Sequence, residues 1–180
     1  MSSSKASGKF NASKLYWLRD SLWFMVVIAL VFVLFRCVIG LSAIGGESME
    51  PTLHDGDIVV YLRPVRHFDT GDIVSVRVPS GKFYVKRVVA TGASEVDIYG
   101  DRLYVDGAEA DDPHASGLTQ KTHGAVVYPY IIDENNYFVL GDNRENSVDS
   151  RFFGEVSRRQ VKGRIVLVFS KGRIKRADQL

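Results

Sequence analysis

One cysteine, five prolines, four histidines and two tryptophans are all that this 180-residue chain holds of those residue types. A single thiol, Cys37, permits no intrachain disulfide, so the fold must hold through packing and hydrogen bonds. His54, His67, His114 and His123 have no metal-ligand spacing and no G-x-S-x-G elbow beside them, which makes them surface histidines rather than catalytic ones. There is no Gly-rich phosphate loop, and nothing in the chain calls for a metal, nucleotide or other cofactor. Charge of one sign is scarce too. The net charge is +2, of which Lys5, Lys9, Lys14 and Arg19 against Asp20 supply +3, leaving about −1 for everything after residue 21. The basic bias belongs to the N-terminus, and a nucleic-acid binder is excluded.

What the chain does have is a long apolar run. "LWFMVVIALVFVLF", residues 22–35, carries no charge, and counting on to Leu41 gives 20 residues, about the ~20 that cross a bilayer as a helix. Arg36 falls near the far end, where its guanidinium can snorkel to the interface. The positive-inside rule puts residues 1–21 in the cytoplasm and 42–180 outside, with Tyr16, Trp17 and Trp23 as the inner aromatic anchor. A cleavable secretory signal, with small residues at Ser42 and Ala43, fits the same segment. A buried core helix fits it less well, because the run is apolar all round.

Beyond Leu41 the pattern changes to short runs rich in β-branched and aromatic residues, bounded by Gly, Asp and Pro: "DGDIVVYLR", "GDIVSVRVP", "KFYVKRVVATG", "NYFVLGD", "GRIVLVFSKG". They predict a mainly β, antiparallel domain with little helix. "EVDIYGDRLYVDG" predicts a hairpin turning at Gly100 and Asp101. Residues 107–128, poor in periodic apolar residues, predict a long surface loop.

Three stretches carry candidate chemistry. In "GESMEPTL" a serine, Ser48, stands just beyond the apolar run. A serine hydroxyl is a nucleophile only beside a base, and a lysine serves if burial keeps it neutral. In "YVKRVVATG" the period of two sets Lys86 with Tyr84, Val88 and Ala90, and Arg87 on the other face with Phe83, Val85 and Val89. On this segment alone, a lysine snorkelling from a strand edge fits better than a buried base. In "GDNRENSVDSRFFG" a calcium loop is ruled out by Arg144 and Ser147 at positions that need other residues. Asp142, Arg144, Asp149 and Arg151 have the signs and spacing for internal ion pairs, which would fix a loop whose Ser147 orients a lysine amine.

Together, "GESMEPTL", "YVKRVVATG" and "GDNRENSVDSR" after an apolar anchor resemble the type I signal peptidases, membrane-bound Ser-Lys proteases. The resemblance implies an antiparallel β-sheet catalytic domain of signal-peptidase type, preceded by a single N-terminal transmembrane helix in the plasma membrane. It implies Ser48 as nucleophile, Lys86 as general base, Ser147 as the hydroxyl that positions the amine, Asp149 and Arg151 as the supporting ion pair, and Asp142 and Arg144 behind them. Ile44, Met49, Leu53, Tyr84 and Val85 would line shallow pockets for small side chains, giving an Ala-x-Ala preference. The partners implied are exported preproteins and membrane lipid. Some family members have a serine where this chain has Gly46; the Ser48 backbone N–H then remains as the oxyanion donor, and Gly46 would let the chain approach closely. Two rivals stand beside this reading: a self-cleaving Ser-Lys repressor, which would need a DNA-binding domain where the apolar run lies, and an inactive membrane-anchored relative acting as a binding or assembly factor.

Overall fold

A computed structural model describes residues 12–78, 80–122 and 126–180; His123 lies outside them. The chain divides into two units, meeting in sequence at Cys37 and Val38. The first is helix α1 (Ala12–Val33), continued by one π-helical segment over Leu34–Val38. From Tyr16 to Cys37 every described side chain is exposed, apolar ones included. A helix apolar all round and covered by no protein is a candidate membrane span, here Tyr16–Val38. The candidate span starts and ends earlier than residues 22–41. Ile39, Gly40 and Leu41 belong to a strand, because their backbone groups pair in a sheet ladder.

The second unit is built from β1 (Ile39–Ala43), β2 (Ile58–Leu62), β3 (Ile73–Arg77), β4 (Phe83–Thr91), β5 (Glu95–Tyr99), β6 (Arg102–Val105), β7 (Ala108–Glu109), β8 (Tyr130–Ile131) and β9 (Asn136–Leu140). A one-turn helix α2 (Ser150–Phe153) follows, then β10 (Val156–Ser157), β11 (Val161–Ser170) and β12 (Arg173–Arg176). All described strand pairs are antiparallel. The larger sheet runs β1-β2-β11-β3-β4-β9-β10 with β12 beside β11, and the smaller runs β7-β6-β5-β8. The expected hairpin is present: Tyr99 faces Arg102 across Gly100 and Asp101, both at positive φ, the turn that matches strand twist.

Strand β4 is covered on both faces, which is why its charged residues matter. Val88 packs with Val74, Val76 and Val139, whereas Val89 and Ala90 pack with Phe138 and Leu140 in a separate cluster. Ala90 was expected beside Val88; a bulge between Val88 and Ala90 in the pairing with β9 moves it to the other cluster. A third cluster, with Ile44, Met49, Leu53, Val59 and Ile73, anchors the turn between β1 and β2. Each such side chain withdrawn from water contributes about 1.5 to 3 kcal/mol, and together they hold the turn against the sheet. Residues 107–128 are not wholly a loop: Ala108–Glu109 adds a short strand to β6, and Ser116 bridges in parallel to Asn143.

Candidate active site

Ser48 lies in the turn after β1, directly before Met49, which is 1% exposed. With Met49 and Leu53 buried, the turn cannot swing, and the Ser48 hydroxyl is held at its edge. Lys86 sits in the middle of β4, opposite Val74 of β3, and is 2% exposed. Its Nζ donates to Ser48 Oγ at 2.6 Å and lies 5.5 Å from the centre of the Tyr84 ring. The strand-edge alternative for Lys86 does not hold: the amine is enclosed and its partner is the serine 38 residues earlier.

Burial is the largest influence on that amine and lowers its pKa from 10.5 to about 8; the Asp149 and Asp142 carboxylates pull it back up, and the Arg151 guanidinium pushes it down again. Near neutral pH a usable fraction of Lys86 is thus the free amine, able to accept a proton from the hydroxyl it touches. None of the three described histidines hydrogen-bonds Ser48; the one nearest in sequence, His54, has its Nδ1 3.9 Å from the Asp57 carboxylate.

The loop from Gly141 to Arg151 closes the site. Asp149 accepts from Arg151 Nε at 2.9 Å, Arg151 Nη2 at 2.9 Å and the Gly141 N–H at 3.1 Å, a two-pronged buried pair as expected from the sequence. Asp142 and Arg144 do not pair within the loop. Asp142 takes two bonds from Arg87, at 2.9 and 2.7 Å, and one from the Thr52 hydroxyl at 2.5 Å. Arg144 reaches out to Asp112 and to Thr119 Oγ1 at 2.6 Å. Both side chains are turned towards partners distant in sequence, and local spacing could not reveal them. The same loop grips the serine turn: the Asn143 N–H donates to the Ser48 carbonyl at 3.2 Å, and Asn143 Nδ2 to the Glu47 carbonyl at 3.2 Å.

Ser147 departs from expectation. Its Oγ is buried and has no hydrogen-bond partner, so it does not contact the Lys86 amine. It is packed instead against Gly141, where an added Cβ would collide with Ser147 Oγ and the Ser48 carbonyl. Gly141 therefore permits a three-way approach of strand end, loop and serine turn, which the sequence reading passed over.

A cavity of about 60 Å³ opens beside Ser48 and Lys86, lined among others by Ile44, Met49, Tyr84 and Val85. Leu53, expected on its wall, is 0% exposed and packs beneath it in the third cluster. Ser42, Gly45, Ser75 and Phe83 line the cavity and were missed. Gly46 has φ +88° with open space where a Cβ would stand, and its N–H donates to Asp55 at 2.7 Å. The glycine thus serves the backbone conformation, and no close approach occurs there. The Ser48 N–H, by contrast, bonds to no described group. A larger cavity, about 630 Å³ with Arg87, His114 and Arg164 on its walls, contains neither Ser48 nor Lys86, so chemistry and not size selects the site. Among the described residues no group of acids, histidines and cysteine is arranged to hold a metal.

An antiparallel β scaffold carrying a serine hydroxyl against a buried amine of lowered pKa is an arrangement suited to a hydrolase of the serine-nucleophile class. Residues 17–170 match the family described as "Signal peptidase, peptidase S26". The chain is 32% identical over 157 residues to "Signal peptidase I S" of Bacillus subtilis (strain 168), covering 80% of this chain and 85% of that protein. It is 30% identical over 161 residues to "Signal peptidase IB" of Staphylococcus aureus (strain N315), covering 80% and 84%. A crystal structure of a signal peptidase I from Enterococcus faecalis V583 aligns over 56% of this chain and 97% of its own, at 27% identity and a TM-score of 0.47. The chain belongs to the signal peptidase family, peptidase S26, as a type I signal peptidase, a serine protease acting on preproteins that carry signal peptides.

Proposed function

We propose that this peptidase cuts after Ala-x-Ala-like sites with Ser48 as nucleophile and Lys86 as general base. Neutral Lys86 takes the Ser48 proton as Oγ attacks the scissile carbonyl. The ammonium so formed gives that proton to the leaving amine as the C–N bond breaks, leaving an ester on Ser48. Water, deprotonated by Lys86, attacks the ester; the signal peptide leaves with a free carboxylate and Ser48 recovers its proton. The unbonded Ser48 N–H is the donor for the oxyanion. Asp149 and Arg151 hold the loop behind the amine, Asp142 with Arg87 ties that loop to β4, and Arg144 ties it to residues 112–119. Ser147 stands by to receive the amine when the serine is acylated.

The observation that carries this reading is the 2.6 Å bond from a buried Lys86 Nζ to Ser48 Oγ. The small cavity supports a preference for short side chains before the cut, because a shallow pocket rejects large ones by overlap. The basic N-terminus supports a cytoplasmic start and an extracytoplasmic catalytic unit in a plasma membrane. The test is cleavage of an Ala-x-Ala preprotein by the detergent-solubilised chain. Cutting after the second alanine, lost in Ser48→Ala and in Lys86→Ala, is the expected result; full cleavage by Ser48→Ala would favour an assembly factor whose preparation carries a second protease.

A further inference from the structure

The cavity beside Ser48 is less greasy than a pocket for alanine needs to be. Ser75 of β3 stands opposite Val85 of β4 in register, so the two side chains share a face, and both line the cavity. Ser42 of β1 lies two residues before Ile44, on the same face of the chain, and both of these also line it. Ser75 is 3% exposed, yet its hydroxyl bonds to no described residue, and unlike Ser147 Oγ it is not sealed from the cavity. Ser42 Oγ makes only a 3.3 Å contact with the neighbouring Ala43 carbonyl. Two hydroxyls with unmet hydrogen-bonding capacity thus border a space with room for a few waters or one short side chain.

We infer that Ser75, with Ser42, makes this a polar subsite that accepts small hydroxylated side chains, serine and threonine, in preference to apolar side chains of the same size. The inference rests on the reading of Ser48 as the nucleophile beside this cavity, and it adds a substrate class to it. A threonine side chain has the shape of valine with one methyl replaced by a hydroxyl. In a wholly apolar pocket the hydroxyl loses its water and gains nothing, so valine is favoured. Opposite Ser75 it exchanges one hydrogen bond for another, and valine instead strands the serine.

The experiment measures kcat/KM for preproteins that differ only in threonine or valine, placed in turn at the first and third positions before the cut. It uses wild type, Ser75→Ala, Ser75→Val and Ser42→Ala, with Ser48→Ala as the blank. The ratio of two substrates on one preparation cancels any loss of folded enzyme, so a poorly folding variant still reports. The expected result is a threonine-to-valine ratio that falls about three- to tenfold in Ser75→Ala and Ser75→Val at one of the two positions, with a smaller fall in Ser42→Ala. A ratio unchanged at both positions in all variants, with cleavage retained, overturns the polar subsite and leaves the peptidase reading intact. Cleavage that survives in Ser48→Ala overturns the reading itself and the subsite with it.

Discussion

Replacing Lys86 by methionine separates what burial does for catalysis from what it does to stability. In the folded chain the Lys86 pKa falls from 10.5 to about 8, mainly because the amine is out of water. A tenfold change in an acidity constant is worth a little over 1 kcal/mol, so at pH 7, below both values, the folded state carries about 3 kcal/mol of unfavourable charge burial. Between pH 8 and 10.5 the unfolded chain holds this proton and the folded chain does not. Stability therefore rises with pH across that window and levels off above it. Lys86→Met removes the charge and loses one hydrogen bond to Ser48, worth about 1 kcal/mol. The variant should gain about 2 kcal/mol at pH 7 and show no such rise. Wild-type kcat/KM should climb through an acid limb centred near pH 8, where about half the amine is neutral, and fall roughly fivefold by pH 7. The assays are denaturant unfolding of the full chain in detergent at pH 7 and pH 10, and preprotein cleavage from pH 6 to 10. A Lys86→Met chain less stable than wild type at pH 7, or a wild-type stability flat from pH 8 to 10, would refute the reasoning.

Gly141→Ala forces a methyl against Ser147 and the Ser48 carbonyl; unfolding measurements should show a loss of about 1 to 3 kcal/mol, with kcat falling more than KM rises. Arg87→Met leaves Asp142 buried with only the Thr52 hydroxyl, and thermal unfolding should report a loss of about 3 to 5 kcal/mol. Asp142→Asn removes a carboxylate that raises the Lys86 pKa, so in whatever fraction stays folded the acid limb of the rate profile should move to lower pH. Ser147→Ala removes a buried oxygen that bonds nothing, so stability should hold or rise by about 1 kcal/mol while kcat drops; an unchanged kcat would mean that Ser147 never meets the amine.

The parts of this fold legible in the sequence are those set by local pattern. The Gly100–Asp101 hairpin follows from turn chemistry between two alternating runs, and the candidate span from composition alone. The end of the span was not legible, since Val38, Ile39 and Leu41 suit a helix in lipid and a strand equally, and only pairing with β2 decides. Lys86 and Ser48 could be named because their surrounding motifs are distinctive, but the burial of Lys86 depends on the cover given to β4 by both neighbours. By strand period alone, Arg87 is only a residue facing away from Lys86. Its real place, two-pronged on Asp142 from 55 residues away, required the middle of β4 to lie beside the end of β9. For the same reason Asp112 and Thr119 went unnoticed in a stretch that reads as loop. Ser75 looks like an ordinary polar interruption of a strand until the cavity is seen.

The central claim is that Lys86 makes Ser48 the nucleophile. Its most direct test is a single turnover with an Ala-x-Ala peptide ester, quenched in acid and followed by mass mapping of the peptide that contains Ser48. An acyl adduct on Ser48 that forms in wild type, faster at pH 8 than at pH 7, and is absent in Lys86→Met is the predicted result. An adduct on any other residue, or one that forms on Ser48 equally fast without Lys86, would contradict the account.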